Sequence, residues 1–78
     1  MRIDLFLKEA RIIKRRTIAK EYCERGLVLI NGKVAKPSAE VKNDDIVNIT
    51  FGEKNFDIKA VVELVGKKER ASYVRIES

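Results

Sequence analysis

At Gly26 the hydrophobic period of this chain changes, and that change constrains the fold more than any other feature. Before it, apolar residues recur at helical spacing; after it, they alternate. Over residues 3–13, Ile3, Phe6, Leu7, Ala10 and Ile13 fall on one side of a helical wheel, with Asp4, Lys8 and Arg11 opposite. Extended past Ala10, the wheel puts Lys14 into the apolar stripe, so a break is expected near residues 11–15. A second helix follows, with Thr17 as its N-cap and Gly26 at its left-handed C-terminal position. In it, Ile18, Ala19, Tyr22 and Cys23 share one face, and Lys20, Glu21, Glu24 and Arg25 the other.

From Leu27 onward the chain reads as strands. Leu27 to Ile30 is a short apolar run, and Asn31-Gly32 is a strong hairpin signal. Val34 and Ala35 start the return strand and Pro37 ends it. Asn43, Asp44 and Asp45 mark a turn. Val47, Ile49 and Phe51 alternate with polar residues, as do Phe56, Ile58, Ala60, Val62 and Leu64. Gly66 to Arg70 reads as a charged loop and Tyr73 to Ile76 as a last strand. The expected fold class is α+β, two short N-terminal helices packed on a small, twisted, mainly antiparallel sheet. One domain is expected over residues 1–78, with a motif core over about 1–50 and additional strands over about 51–78. The expected core draws on Ile3, Phe6, Leu7, Ala19, Tyr22, Val28, Ile30, Ile46, Ile49, Ile58 and Val62.

Composition then narrows the function. With 78 residues, no His and one Cys, the chain lacks a His proton shuttle, a His-dependent nucleophile and a His- or multi-thiolate metal site. No enzyme activity, cofactor or metal is expected. Cys23 lies on the apolar helix face and reads as a small core residue. No apolar run exceeds Leu27 to Ile30, so no membrane span is expected and the cytoplasm is the expected location.

The net charge of +5 is unevenly spread. Residues 1–42 hold 11 Lys/Arg against 5 Asp/Glu, whereas residues 43–78 hold 6 against 7. Arg11, Lys14, Arg15, Arg16 and Lys20 crowd one acid-free stretch, a density that points to a polyanion. Guanidinium groups, lysines and the free N–H groups opening the second helix together suit phosphate oxygens. Arg2, Lys8, Arg11, Lys14, Arg15, Arg16 and Lys20 are the candidate phosphate contacts, and Thr17 orients the helix that carries several of them. Asn31 and Lys33 at the hairpin tip extend the surface if the tip lies beside the helices. A structured-RNA binder reading shape and backbone is favoured. A structural or assembly ribosomal protein, the RNA-binding part of a modifying enzyme and a helix-turn-helix-like DNA-binding module remain as alternatives. Glu21 and Glu24 on the exposed helix face count against the last.

The ordered combination Arg2-Ile3-Asp4, Arg15-Arg16-Thr17, a helix ending in Gly26, Val28-Leu29-Ile30-Asn31-Gly32, Pro37 and Asp45-Ile46 resembles the S4, or alpha-L, RNA-binding domain. The stretch from Arg2 to Arg16 further resembles the small bacterial ribosome quality-control factors related to the fifteen-kilodalton heat-shock protein. The resemblance implies a monomeric factor on the large ribosomal subunit, touching ribosomal RNA and peptidyl-tRNA after a stall. Its implied partner is RqcH, which brings alanyl-tRNA for C-terminal alanine tailing. This sequence departs from the pattern at Asp44, where relatives often have Gly, and at Leu27, where they usually have a polar residue.

Overall fold

The computed structural model describes residues 1–76. Its elements are α1 (Ile3–Glu9), α2 (Arg16–Glu24), β1 (Val28–Ile30), β2 (Lys33–Val34), β3 (Ile46–Phe51), β4 (Lys54–Val65) and β5 (Lys68–Arg75). The five strands form one antiparallel sheet in the order β2-β1-β3-β4-β5. The two helices pack against each other, with α1 also contacting β5 and α2 contacting β1. The α+β class follows from the change of period at Gly26.

Both helices end in the same backbone motif. After α2, Gly26 is left-handed at φ 75°, the Gly26 N–H donates to the Cys23 carbonyl and the Leu27 N–H to the Tyr22 carbonyl. After α1, Arg11 takes the equivalent position at φ 61°; its N–H donates to the Lys8 carbonyl and the Ile12 N–H to the Leu7 carbonyl. The expected break is therefore a helix stop, and α1 is shorter than the wheel suggested. Ile13 remains buried beyond the stop, so the apolar pattern outlasts the helix that produced it.

The start of α1 has no side-chain cap. The Ile3 and Asp4 N–H groups instead donate to the carbonyls of Ala39 and Pro37, at 2.8 and 3.4 Å. The Met1 carbonyl accepts from the Val41 N–H at 2.8 Å, which draws Val41 fully into the core. Thr17 is not the cap of α2. Arg15 holds that place in extended backbone, with no side-chain hydrogen bond, and Thr17 sits within the first turn.

The Asn31-Gly32 hairpin forms as expected, with φ of 49° and 84° and Ile30 paired to Lys33. Asn31 does more than turn the chain. Its Oδ1 accepts from the Ile46 N–H at 3.0 Å and its Nδ2 donates to Asp45 Oδ1 at 3.1 Å. Asp45 Oδ2 in turn accepts from the Lys42 N–H at 2.8 Å, so the two side chains fasten the 42–46 turn to the hairpin. Asp44 stands at φ 74° in that turn, the left-handed conformation for which Gly is the low-cost choice, and its carboxylate pairs with Lys59 at 3.4 Å.

The core contains Ile3, Phe6, Leu7, Ala19, Val28, Ile49 and Ile58 as expected, together with Val41, Val47, Ala35 and Ala60. Ile46 was expected inside and is 37 % exposed. Strand parity explains it: Ile46 is an odd number of residues from both Val47 and Ile49, and those two share the helix-facing side. Tyr22, Ile30 and Val62 are half-buried at the margin of the core, and Ile18 is exposed at the edge of its helix face. Leu64 continues the β4 alternation yet is 72 % exposed, so burial on this face ends before the alternation does. Residues 68–70, expected as loop, belong to β5; only Gly66 and Lys67 turn the hairpin.

Candidate nucleic-acid interface

The candidate interface centres on a carboxylate that the helical wheel places opposite the apolar stripe. Asp4 is 2 % exposed. Its Oδ1 accepts from the Leu5 N–H at 2.7 Å, and its Oδ2 meets the Arg2 guanidinium at 3.2 Å and the Arg16 Nε at 3.5 Å. Arg16 Nη2 also approaches Oδ1 at 3.5 Å. Arg2 precedes α1 and Arg16 opens α2, so one buried charge fixes guanidinium groups from two elements at the place where the helices converge. Both arginine side chains remain about half exposed, leaving N–H donors for an outside acceptor.

Arg2, Asp4, Arg16, Thr17 and Lys20 line a shallow depression of about 230 Å³. Three cations against one acid leave it net positive. The first turn of α2 adds backbone N–H groups that have no partner within the helix. The hydroxyl of Thr17 is left for this depression, since it caps nothing. An anion with several acceptor oxygens fits such a donor set, and a phosphodiester has that form.

The other expected contacts are distributed around this centre. Lys14 and Arg15 are exposed on the connector leading into Arg16 and have no ion pair among the described residues. Lys8 is exposed on α1 and pairs with Glu9 at 3.6 Å. Arg11 lines a separate groove with Ile12 and residues of β3, β4 and β5. Lys33 is exposed on β2. Asn31 uses both polar atoms of its side chain inside the protein, so its contribution is to shape the hairpin that carries Lys33. Asp4 itself was the residue missed. Its one available signal is the Arg2-Ile3-Asp4 spacing, which puts an acid beside a terminal base.

Cys23 packs beneath this region, 3 % exposed. Burial, with smaller contributions from the negative charges of Asp4 and Glu24, pushes its thiol up to about 11. It is held neutral and buried, as expected of a core residue.

A short helix pair presenting bases beside a small antiparallel sheet defines an S4-type RNA-binding protein, and the S4 domain family matches residues 1–47. A solved structure of heat shock protein 15 from Vibrio cholerae, described as trimeric, superposes with a TM-score of 0.77 at 28 % identity, covering 97 % of this chain and 81 % of that one. Among curated relatives, the RQC P-site tRNA stabilizing factor of Halalkalibacterium halodurans is 46 % identical across 99 % of this chain and 90 % of its own length. Its namesakes in Bacillus subtilis and Helicobacter pylori (strain J99) are 47 % and 37 % identical, over 92 % and 95 % of this chain and 85 % and 93 % of theirs. The chain belongs to the family of RQC P-site tRNA stabilizing factors.

Proposed function

We propose that this protein is a non-catalytic factor that holds peptidyl-tRNA in the P site of large ribosomal subunits during ribosome quality control. In this reading it contacts ribosomal RNA and tRNA backbones through Arg2, Lys8, Lys14, Arg15, Arg16 and Lys20. Thr17 and the first turn of α2 supply neutral donors to the same phosphates. It acts in the cytoplasm as a monomer on the subunit, beside RqcH, and supports alanine tailing of the stalled chain.

The observation that carries the reading is the Arg2–Asp4–Arg16 cluster. Two guanidinium groups, organised in advance by one buried carboxylate, lose little freedom when they take a phosphate. The names of the relatives supply the tRNA and its site. Glu21 and Glu24 are exposed on α2, which disfavours insertion of that helix into a DNA groove.

Co-sedimentation with large subunits carrying peptidyl-tRNA, measured across a salt series, tests this. Six phosphate contacts give a log affinity that falls with log salt at a slope of roughly −4 to −5. Structured RNA should compete better than duplex DNA of equal charge. A slope near zero, or a preference for duplex DNA, overturns the proposal.

A further inference from the structure

A second basic site lies on the sheet, away from the Asp4 cluster. Ile49, Phe51, Phe56 and Ile58 floor a groove of about 230 Å³, and Arg11, Ile12, Tyr73 and Arg75 line its sides. Strand pairing sets Phe56 opposite Ile49 and Arg75 opposite Ile58, all on the helix-facing side of the sheet. The Arg75 guanidinium carbon lies 4.5 Å from the centre of the Phe56 ring. Phe56 meets Phe51 edge-on at 6.0 Å, and Phe51 meets Tyr22 at 5.5 Å. Tyr73 is 44 % exposed beside them. The aromatic residues are few and scattered in the sequence, yet the fold gathers most of them here.

The two arginines have no acidic partner among the described residues. Arg11 is also in an unfavourable backbone conformation. It occupies the left-handed position after α1 that Gly26 fills after α2, with no compensating side-chain hydrogen bond among the described residues. A glycine would end the helix at lower cost. What the arginine adds is a cation on the wall of the groove.

From this geometry we infer that the groove binds one unpaired RNA nucleotide. The base stacks on the flat outer face of the Arg75 guanidinium, which is itself layered on Phe56, with Tyr73 alongside. The phosphate lies toward Arg11. Charge decides the class of occupant, because an apolar floor between two cations, neither paired with an acid among the described residues, suits a flat ring joined to an anion. Continuity decides for RNA, because Arg11 and Ile12 open the same connector that carries Lys14 and Arg15. The inference rests on the RNA-binding function proposed above and adds a site to it.

The test uses the full chain with hexa-adenylate RNA and its counterpart lacking all bases. The base-free strand should bind roughly tenfold more weakly, within the range for loss of aromatic stacking. Arg75→Lys, which keeps the charge and loses the plane, should weaken hexa-adenylate binding about as much. Arg11→Gly should weaken binding while raising the melting temperature, by about 4 °C on the usual scale for a small domain. Equal binding of the two strands, an Arg75→Lys variant that binds like the parent, or displacement of the RNA by equimolar hexaglutamate each overturns the inference. Failure with hexa-adenylate while large-subunit binding persists removes this site alone. Loss of subunit binding by the unmodified protein removes the proposed function.

Discussion

Replacing Asp4 by Asn separates organised recognition from simple charge attraction. The substitution keeps an oxygen for the Leu5 N–H, now 2.7 Å from Oδ1, but removes the charge that Arg2 and Arg16 approach at 3.2 and 3.5 Å. It also sets an amide donor against guanidinium donors. Charge-assisted hydrogen bonds contribute roughly 1.5–3 kcal/mol each, and half-exposed partners reduce that to about 1 kcal/mol apiece. Stability should therefore fall by about 2 kcal/mol, a drop in melting temperature of roughly 8–16 °C. Binding changes for a different reason. Two long side chains regain their rotamers and must be ordered on the RNA, at about 1.4 kcal/mol in total, which is roughly a tenfold loss of affinity. Net charge alone predicts the opposite, since the variant gains one positive unit. Thermal unfolding and co-sedimentation with large subunits, both at one salt concentration and well below the melting transition, decide between the two. An Asp4→Asn protein that binds as tightly as the parent, or more tightly, refutes the argument that the carboxylate organises the site.

Cys23 gives a pH prediction whose sign is fixed. Its folded pKa of about 11 lies above the ordinary value of 9.0, so the folded state holds its proton longer than the unfolded chain. The stabilisation is complete below pH 9 and is lost as pH rises toward 11, by roughly 1–3 kcal/mol. Denaturant unfolding of the parent and of Cys23→Ala should show a steeper decline in the parent. Asn31→Ala removes two side-chain hydrogen bonds and leaves Ala at φ 49°, so it should destabilise by roughly 1–3 kcal/mol. Asn31→Gly, which relieves the backbone, should recover part of that loss in the same unfolding assay; no recovery would count against the left-handed conformation as a source of the cost.

The sequence by itself determined the class of fold, because a change from helical to alternating period leaves one way to bury each half of the chain. It also determined the Asn31-Gly32 turn, the stop at Gly26 and the basic character of the connector, all of which depend on neighbours along the chain. Asp4, Thr17 and the groove around Arg75 needed the tertiary structure. A helical wheel places Asp4 opposite Ile3 and Phe6 but carries no information about Arg16, twelve residues away, whose approach makes burial of the charge tolerable. Thr17 carries the chemistry of a cap, yet the chain enters α2 two residues earlier, at Arg15. Arg11, Phe56 and Arg75 are far apart in sequence; the β4-β5 register brings Phe56 and Arg75 to one face, and the packing of α1 on the sheet brings Arg11 to the same groove. Local conformational preference is written in adjacent residues. Charge pairing and stacking depend on distances that exist only once the helices have closed on the sheet.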